Sequence, residues 1–534
     1  MRAVAGFDAT FSAPKSVSVL WALTGDERIL AVHDQAVAAA LAHVERFGST
    51  TRLRVNGDRM FPASNGLTMA TFRQSTSRAD DPQLHTHAVI SAKVQIADGR
   101  WLALDARYLK RQQRTLGGLY QSALRAGLRA ELGVRWRPVV NGQAEIAGMP
   151  AELLRVFSKR TGQVETALAD KVTEFRSRQG RDPTQWERAA LTREAAVDTR
   201  AHKTGHGPDD LVGRWLREEN EVGWTTHRIL DAIGDHTLDH TPDHSLSLVN
   251  VLDRLSAAGS TWSRADVLRA VCDLAPVKAM EPGRWAQTIG RVVDRVLESG
   301  VNLDPEPTRD GSRDGCRDTD GRSVWIEPTA TQYTSDQILT QEEHVLTWAM
   351  DRQADDPAPS RMVVVGGLDV AQADAARAVA GHDRLVLVEG PAGAGKTTML
   401  RTAVEALTAE SRPVLGLAPT AKAARVLGAE TGMPADTIAK LLHEHARTDR
   451  PAGERYRPPA GATVIVDLCR HRGYADRWCR GWVGGGCRVG WCRHNHSASR
   501  KARSGSVGLN RPGFADVGLV RSSARCLMVK SAWR

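Results

Sequence analysis

Cysteine, long apolar runs, aromatic side chains and an even spread of charge are all scarce in this 534-residue chain. Seven residues are cysteine, and five of them (Cys469, Cys479, Cys487, Cys492, Cys526) fall in the last 67. Only Cys272 and Cys316 lie earlier, which excludes a disulfide framework and suits a reducing compartment. No run of about eighteen apolar residues occurs, so no membrane span is expected. The opening segment is too short and too quickly charged for a secretory signal, which points to the cytoplasm. Aromatics make up 5% of the chain, with five tyrosines: Tyr108, Tyr120, Tyr333, Tyr456 and Tyr474. The net charge of +10 is local: residues 468–534 carry 14 basic and 2 acidic residues, leaving 58 against 60 elsewhere. Any nucleic-acid affinity of the preceding part must therefore come from patches and not from global charge.

What is present is chemically pointed. The run Asp81-Pro82-Gln83-Leu84-His85-Thr86-His87-Ala88-Val89-Ile90 reads as a strand. Side chains alternate along a strand, so His85 and His87 share one face and Leu84, Thr86, Ala88 and Ile90 the other. Two imidazoles on one face can converge on a divalent cation. Two hydrogen-bonded surface histidines would give the same pattern.

A second motif follows the apolar run 385–388. Gly390, Pro391, Ala392, Gly393, Ala394, Gly395, Lys396, Thr397 and Thr398 form G-x-x-x-x-G-K-T between a predicted strand and a predicted helix over 399–409. Glycines let backbone N–H groups wrap phosphates at a helix N-terminus. Lys396 would reach the β/γ-phosphates and Thr397 would hold magnesium. The run 462–467 is a strand ending in Asp467, as in a Walker B element.

The flanks of the histidine pair complete a recognisable set: Phe7-Asp8-Ala9-Thr10-Phe11-Ser12-Ala13-Pro14-Lys15-Ser16, then Phe72-Arg73-Gln74-Ser75-Thr76-Ser77-Arg78, then Phe157-Ser158-Lys159-Arg160-Thr161. Together they resemble the relaxase domain of conjugative relaxase–helicases of the TrwC/TraI type, over roughly residues 4–224. The resemblance implies a five-stranded antiparallel palm, metal-assisted attack of a tyrosine on single-stranded DNA at a transfer origin, and work alongside other conjugation proteins. Carried onto this sequence, it gives His85 and His87 as metal ligands and Asp8 as the carboxylate that orients an imidazole. Gln74 stands where relatives place a third histidine; its amide oxygen suits magnesium or manganese better than zinc. Lys15 and Arg73 are candidate phosphate contacts. The family's tyrosine nucleophiles lie upstream of the first motif, where none of the five tyrosines falls. Met1 therefore reads as a truncated or misplaced start, and no nicking is expected.

The second motif resembles a superfamily 1 helicase. Gln372 resembles the adenine-reading glutamine, and Thr420 lies in a segment like the single-strand contact motif. ATP with magnesium is the implied cofactor. After Asp467 the family would continue with a glutamate that positions water; Leu468 stands there instead. The following sequence has no sustained period of 2 or 3.6, which reads as a frameshift near codon 468. Reading the coding DNA in the shifted frame should then restore Asp-Glu and later motifs. Cys479, Cys487, Cys492, His494 and His496 could be a zinc knuckle, but their spacing is not a usual one.

The expected architecture is multidomain, α+β then α/β. Residues 1–224 form an antiparallel relaxase palm with helices, 225–335 a mainly helical connection, 336–467 the first part of a RecA-like parallel-sheet P-loop domain, and 468–534 a disordered basic tail. An amphipathic helix is expected over 26–47, with His33 and His43 at the surface, and further helices over 106–132 and 150–180. Metal, DNA and nucleotide binding are the expected functions. The alternatives are a stand-alone P-loop ATPase with an N-terminal DNA-binding module, and a noncatalytic remnant. Upstream coding DNA with a tyrosine-bearing in-frame extension favours the relaxase–helicase fragment, and absence of single-strand nicking with retained ATP binding favours the stand-alone ATPase. ATP hydrolysis is expected to be absent or very weak, so DNA-stimulated turnover would overturn that expectation.

Overall fold

The computed structural model describes residues 4–200, 206, 208–234, 247–275, 278–304, 323–327, 331–353, 359, 363–364, 366–388, 394–469 and 488–494. It divides into two compact units: Met1–Leu255 with Thr261–Thr334, and Ser256–Ser260 with Ser335–Arg534. Among the described residues, no helix is long and apolar enough to cross a membrane.

Up to Thr334 the chain runs β1 (Gly6–Ser12), α1 (Lys15–Thr24), α2 (Glu27–Gly48), β2 (Leu53–Val55), β3 (Asp58–Met60), β4 (Met69–Thr76), β5 (Pro82–Ser91), β6 (Lys93–Gln95), β7 (Trp101–Ala103) and α3 (Arg107–Leu132). It continues through α4 (Ala151–Val156), α5 (Lys159–Gln179), α6 (Gln185–Asp198), α7 (Pro208–Glu221), α8 (Thr226–Gly234), α9 (Leu248–Ala258), α10 (Arg264–Leu274), α11 (Pro282–Glu298), β8 (Val301–Asn302) and β9 (Tyr333–Thr334). The central sheet is antiparallel in the order β1-β5-β4. The described residues thus give it three strands where the resemblance implies five. The short ribbons β2–β3 and β6–β7 pair only with each other.

Strand β5 alternates as its sequence requires. Leu84, Thr86, Ala88 and Ile90 are buried, while Gln83, His85 and His87 are half-buried and Val89 is exposed. The buried face is covered by α2, whose inward residues Ile29, Val32, His33, Ala36, Val37, Ala40, Leu41 and Val44 recur at helical spacing. Asp26 caps that helix by accepting from the Arg28 backbone N–H. The predicted helix over 150–180 is two helices, because the chain breaks at Phe157, whose side chain is fully buried, and Ser158.

Helix α11 buries Trp285, Ile289, Val293, Val296 and Leu297, a single apolar stripe, and the Trp285 indole donates to Ser122 Oγ of α3 at 2.9 Å. The first unit therefore extends past the expected boundary near residue 224, and the helices after that point are part of it.

The second unit holds α12 (Asp336–Gln353), α13 (Val370–Ala380), β10 (Leu385–Leu387), α14 (Lys396–Ala409), β11 (Val414–Ala418), α15 (Ala421–Thr431), β12 (Ala435–Thr437), α16 (Ile438–Ala446), β13 (Thr463–Cys469) and β14 (Arg488–His494). All strand pairs are parallel, in the order β10-β14-β13-β11-β12. A strand at 488–494 departs from the expected disordered tail. That stretch carries Val489 and Trp491, residues suited to a pleated surface. One core packs Met399, Leu400, Ala403, Val404 and Leu407 of α14 against α13; another lies around Leu415, Leu417, Val464 and Val466.

Candidate metal centre and nucleotide loop

The open face of the central sheet gathers three strands' worth of polar side chains. In register, Thr10 sits opposite His87 and Ser12 opposite His85 on one side, while Phe72 faces His87 and Gln74 faces His85 on the other. The His85 and His87 rings are 5.2 Å apart between centroids, at an angle of 72°. His87 Nδ1 lies 2.9 and 3.1 Å from the two Asp8 carboxylate oxygens, and 3.3 Å from Thr10 Oγ1. His85 Nδ1 donates to the Gln83 carbonyl at 2.8 Å. An acceptor on each Nδ1 selects the tautomer whose lone pair is on Nε2, the nitrogen that ligates metals.

This donor set fits a divalent cation: two imidazoles on one face, an amide opposite His85 in register at Gln74, and a partly exposed position. It contains no cluster of three or more histidine, cysteine or acidic residues among those described.

The other face differs from expectation at two points. Arg73 pairs in register with Thr86, so it projects to the helical side, away from the histidines, and forms an ion pair with Asp34 of α2. Alternation along β4 forbids Arg73 and Gln74 from sharing a face. His33, expected at the surface, is completely buried there. Its Nδ1 is 2.8 Å from the Tyr120 hydroxyl and its Nε2 is 2.8 Å from Thr86 Oγ1. The Tyr120 hydroxyl is thus committed beneath the sheet, and burial pushes its pKa well up. Tyr108 is also buried, against Gly48.

Burial, with help from Arg73 and His85, holds the His33 imidazole down to about 3. In the unfolded chain a histidine titrates near 6.5. Between those values the unfolded state binds a proton that the folded state refuses. Stability is therefore full above pH 6.5 and is lost as pH falls towards 3, by up to about 1.4 kcal/mol per pH unit. Thermal unfolding across this range should show a shallower acid slope in His33→Asn than in wild type.

Lys15 does not reach into the open face either. Its ammonium donates to the Pro82 carbonyl at 2.8 Å, and burial lowers its pKa against the pull of Asp81 and Glu145. One contributor was not anticipated from sequence. Asp81, almost fully buried at the head of β5, accepts from the Lys159 backbone N–H at 2.8 Å and from its ammonium at 3.0 Å. Lys159 also meets Glu218 of α7 at 2.6 Å. This network ties the Phe157-Ser158-Lys159 motif to the start of the histidine strand. The available signal was the position of Asp81 directly before Pro82, within the strand motif itself.

In the second unit, Glu389, Gly390, Pro391, Ala392 and Gly393 lie outside the described residues, as do Tyr474, Cys479, Cys487 and His496. Gly395 has φ +66°, a left-handed conformation that favours glycine, and starts α14. A Cβ there would sit 2.6 Å from Gln372 Nε2. Lys396 is buried at the first position of the helix, followed by Thr397 and Thr398. Gln372 closes a capping box with Asp369 and donates from Nε2 to the Ala394 carbonyl at 2.9 Å. Both ends of its amide therefore serve the loop and the helix cap. Thr420 caps α15 by accepting from the Ala423 backbone N–H at 3.2 Å. Asp467 lies on β13.

Comparison with known proteins gives these two regions names. Residues 2–222 match the TrwC relaxase family model and residues 367–469 the AAA domain model. The multifunctional conjugation protein TraI of Escherichia coli is 31% identical over 291 residues, taking in 51% of this chain and 15% of TraI. The chain therefore spans about one-seventh of that relative's length. Similar solved structures include the conjugative relaxase TrwC in complex with oriT DNA in a copper-bound form, at 33% identity over 42% of this chain and 72% of that one, with a TM-score of 0.36. TrwC with a mutant oriT DNA is 34% identical over 42% of this chain and 75% of that one, with a TM-score of 0.37. A TrwC relaxase segment followed by an AAA segment, with TraI as a relative, supports a relaxase–helicase conjugation protein.

Proposed function

We propose that the first unit binds single-stranded DNA at a transfer origin through the open face of β1, β5 and β4, at a divalent metal held by His85 and His87. The observation that carries the reading is the pair of imidazoles on one exposed strand face, each with its Nδ1 anchored, one to Asp8 and one to a backbone carbonyl. Magnesium, manganese or zinc bound there would offset charge on a phosphate oxygen. Asp8 orients His87 and raises its basicity; Gln74 supplies a weak oxygen donor. Exposed Phe72, beside His87 in register, offers a flat apolar surface to an unstacked base.

The second unit, in this reading, binds ATP with magnesium through Gly390, Pro391, Ala392, Gly393, Ala394, Gly395, Lys396, Thr397 and Thr398. Asp467 completes the magnesium environment, and Gln372 holds the loop end. Leu468 offers no carboxylate to orient a water, so hydrolysis is slow where binding is retained. The domain arrangement is a relaxase segment to about residue 224, a helical continuation packed on it, and a nucleotide-binding segment from 336 to 467. Partners are the transferred strand and other conjugation proteins.

Fluorescence anisotropy of a labelled single strand carrying a transfer-origin sequence tests the first part. Manganese should tighten binding by the full chain, and the gain should vanish in His87→Ala. Metal-independent affinity, equal in the two proteins, would refute the reading.

A further inference from the structure

The first unit has a second concave site, on the helical side of the sheet. A cavity of about 450 Å³ opens among α2, α3, α10 and α11. It exists because small residues meet there: Ala39 and Ala42 on α2 oppose Gly283, Ala286 and Gly290 on α11. Nothing lies within 4 Å of where a Cβ on Gly290 would be. A volume of this size accommodates a small organic ligand.

The lining is cationic. Arg46, Arg264 and Arg291 face a single acid, Asp294. Arg264 reaches Asp294 at 2.6 Å. The Arg46 and Arg264 guanidiniums both lie over the Phe47 ring, at 5.0 and 4.9 Å from its centroid. Two like charges are thus held on one aromatic ring, with one carboxylate to offset them. The Arg264 Nε is buried and has no hydrogen-bond partner. A buried donor without an acceptor is uncommon in a folded protein and marks a place where an acceptor belongs.

We infer that this cavity binds a small phosphate-bearing anion, held by the guanidiniums of Arg46, Arg264 and Arg291. Arginine forks match phosphate oxygens in geometry as well as charge. His43, packed against Phe47 with 4.6 Å between ring centroids and the planes tilted by 44°, lies in the same wall and is a local reporter. Burial, then Arg264 and Arg46, hold its imidazole down to about 4, so it is neutral near pH 7. A bound anion raises that value by favouring the imidazolium.

The phosphate could belong to a free nucleotide or to a nucleic-acid backbone. The test follows the His43 ring by NMR in the full chain labelled with 15N-histidine, at constant ionic strength, with chloride as control. Three probes are added in turn: inorganic phosphate, thymidine 5′-monophosphate, and a single strand without terminal phosphates. The expected result is a rise of about one pH unit in the His43 midpoint with at least one probe, lost in both Arg46→Gln and Arg291→Gln. Both arginines are exposed at the rim, so these variants should fold. A response to the monophosphate assigns a free nucleotide; a response to the strand alone assigns a backbone phosphate. No response to any probe, or an equal rise in the two variants, would overturn the inference.

Discussion

Replacing both His85 and His87 by alanine should weaken manganese or zinc binding by the nucleotide-free chain more than about a hundredfold, because it removes both strong donors. Asp8→Ala should cost about 10- to 100-fold on its own, the range for losing a group that orients a ligating imidazole. Asp8→Asn should cost less, since an amide oxygen still accepts from His87 Nδ1 but brings no charge. Gln74→His should strengthen zinc binding, because it supplies a third imidazole in register with His85. Titration calorimetry reads all four. The ordering matters as much as the sizes. If Asp8 only capped a strand end, its variants would leave metal affinity unchanged. If the histidines were only surface residues, the double alanine variant would bind as wild type does.

Lys396→Ala should weaken ATP binding by roughly 10- to 100-fold, the loss expected for one charge-assisted contact to phosphate. Lys396 is buried at the first turn of α14, where the helix N-terminus already favours anions. Gly395→Ala should weaken binding for a separate reason. Its φ of +66° suits glycine, and a Cβ would collide with Gln372 Nε2. Equilibrium binding of a fluorescent ATP analogue measures both. Unchanged affinity in Lys396→Ala would remove the nucleotide site from the account.

Much of this architecture was legible because it rests on local periodicity. The period-2 pattern in 82–91 placed His85 and His87 on one face and Leu84 and Ile90 on the other, as β5 has them. Helical spacing marked α2 and α3 within a residue of their ends. The strand–loop–helix setting of Lys396 was likewise local. What escaped was tertiary. Arg73 and Gln74 are neighbours in sequence, yet only strand pairing shows that one faces Asp34 and the other His85. His33 reads as a polar residue on an amphipathic helix. It is buried because Tyr120 and Thr86, 87 and 53 residues away, satisfy both ring nitrogens. Nothing in the period of 282–298 says which surface its apolar stripe covers; the Trp285 contact with Ser122 decides that. Sequence spacing likewise gave no sign that Lys15 would turn to the Pro82 carbonyl.

In the proposed function, the open face of β5 is a metal centre. X-ray absorption at the zinc edge, on the full chain loaded with one equivalent of zinc, tests it most directly. Two imidazole ligands at about 2.0–2.1 Å with oxygen donors completing the shell are expected, with loss of that imidazole signature in the His85→Ala, His87→Ala chain. A shell without imidazole, or one that is the same in both proteins, would contradict it.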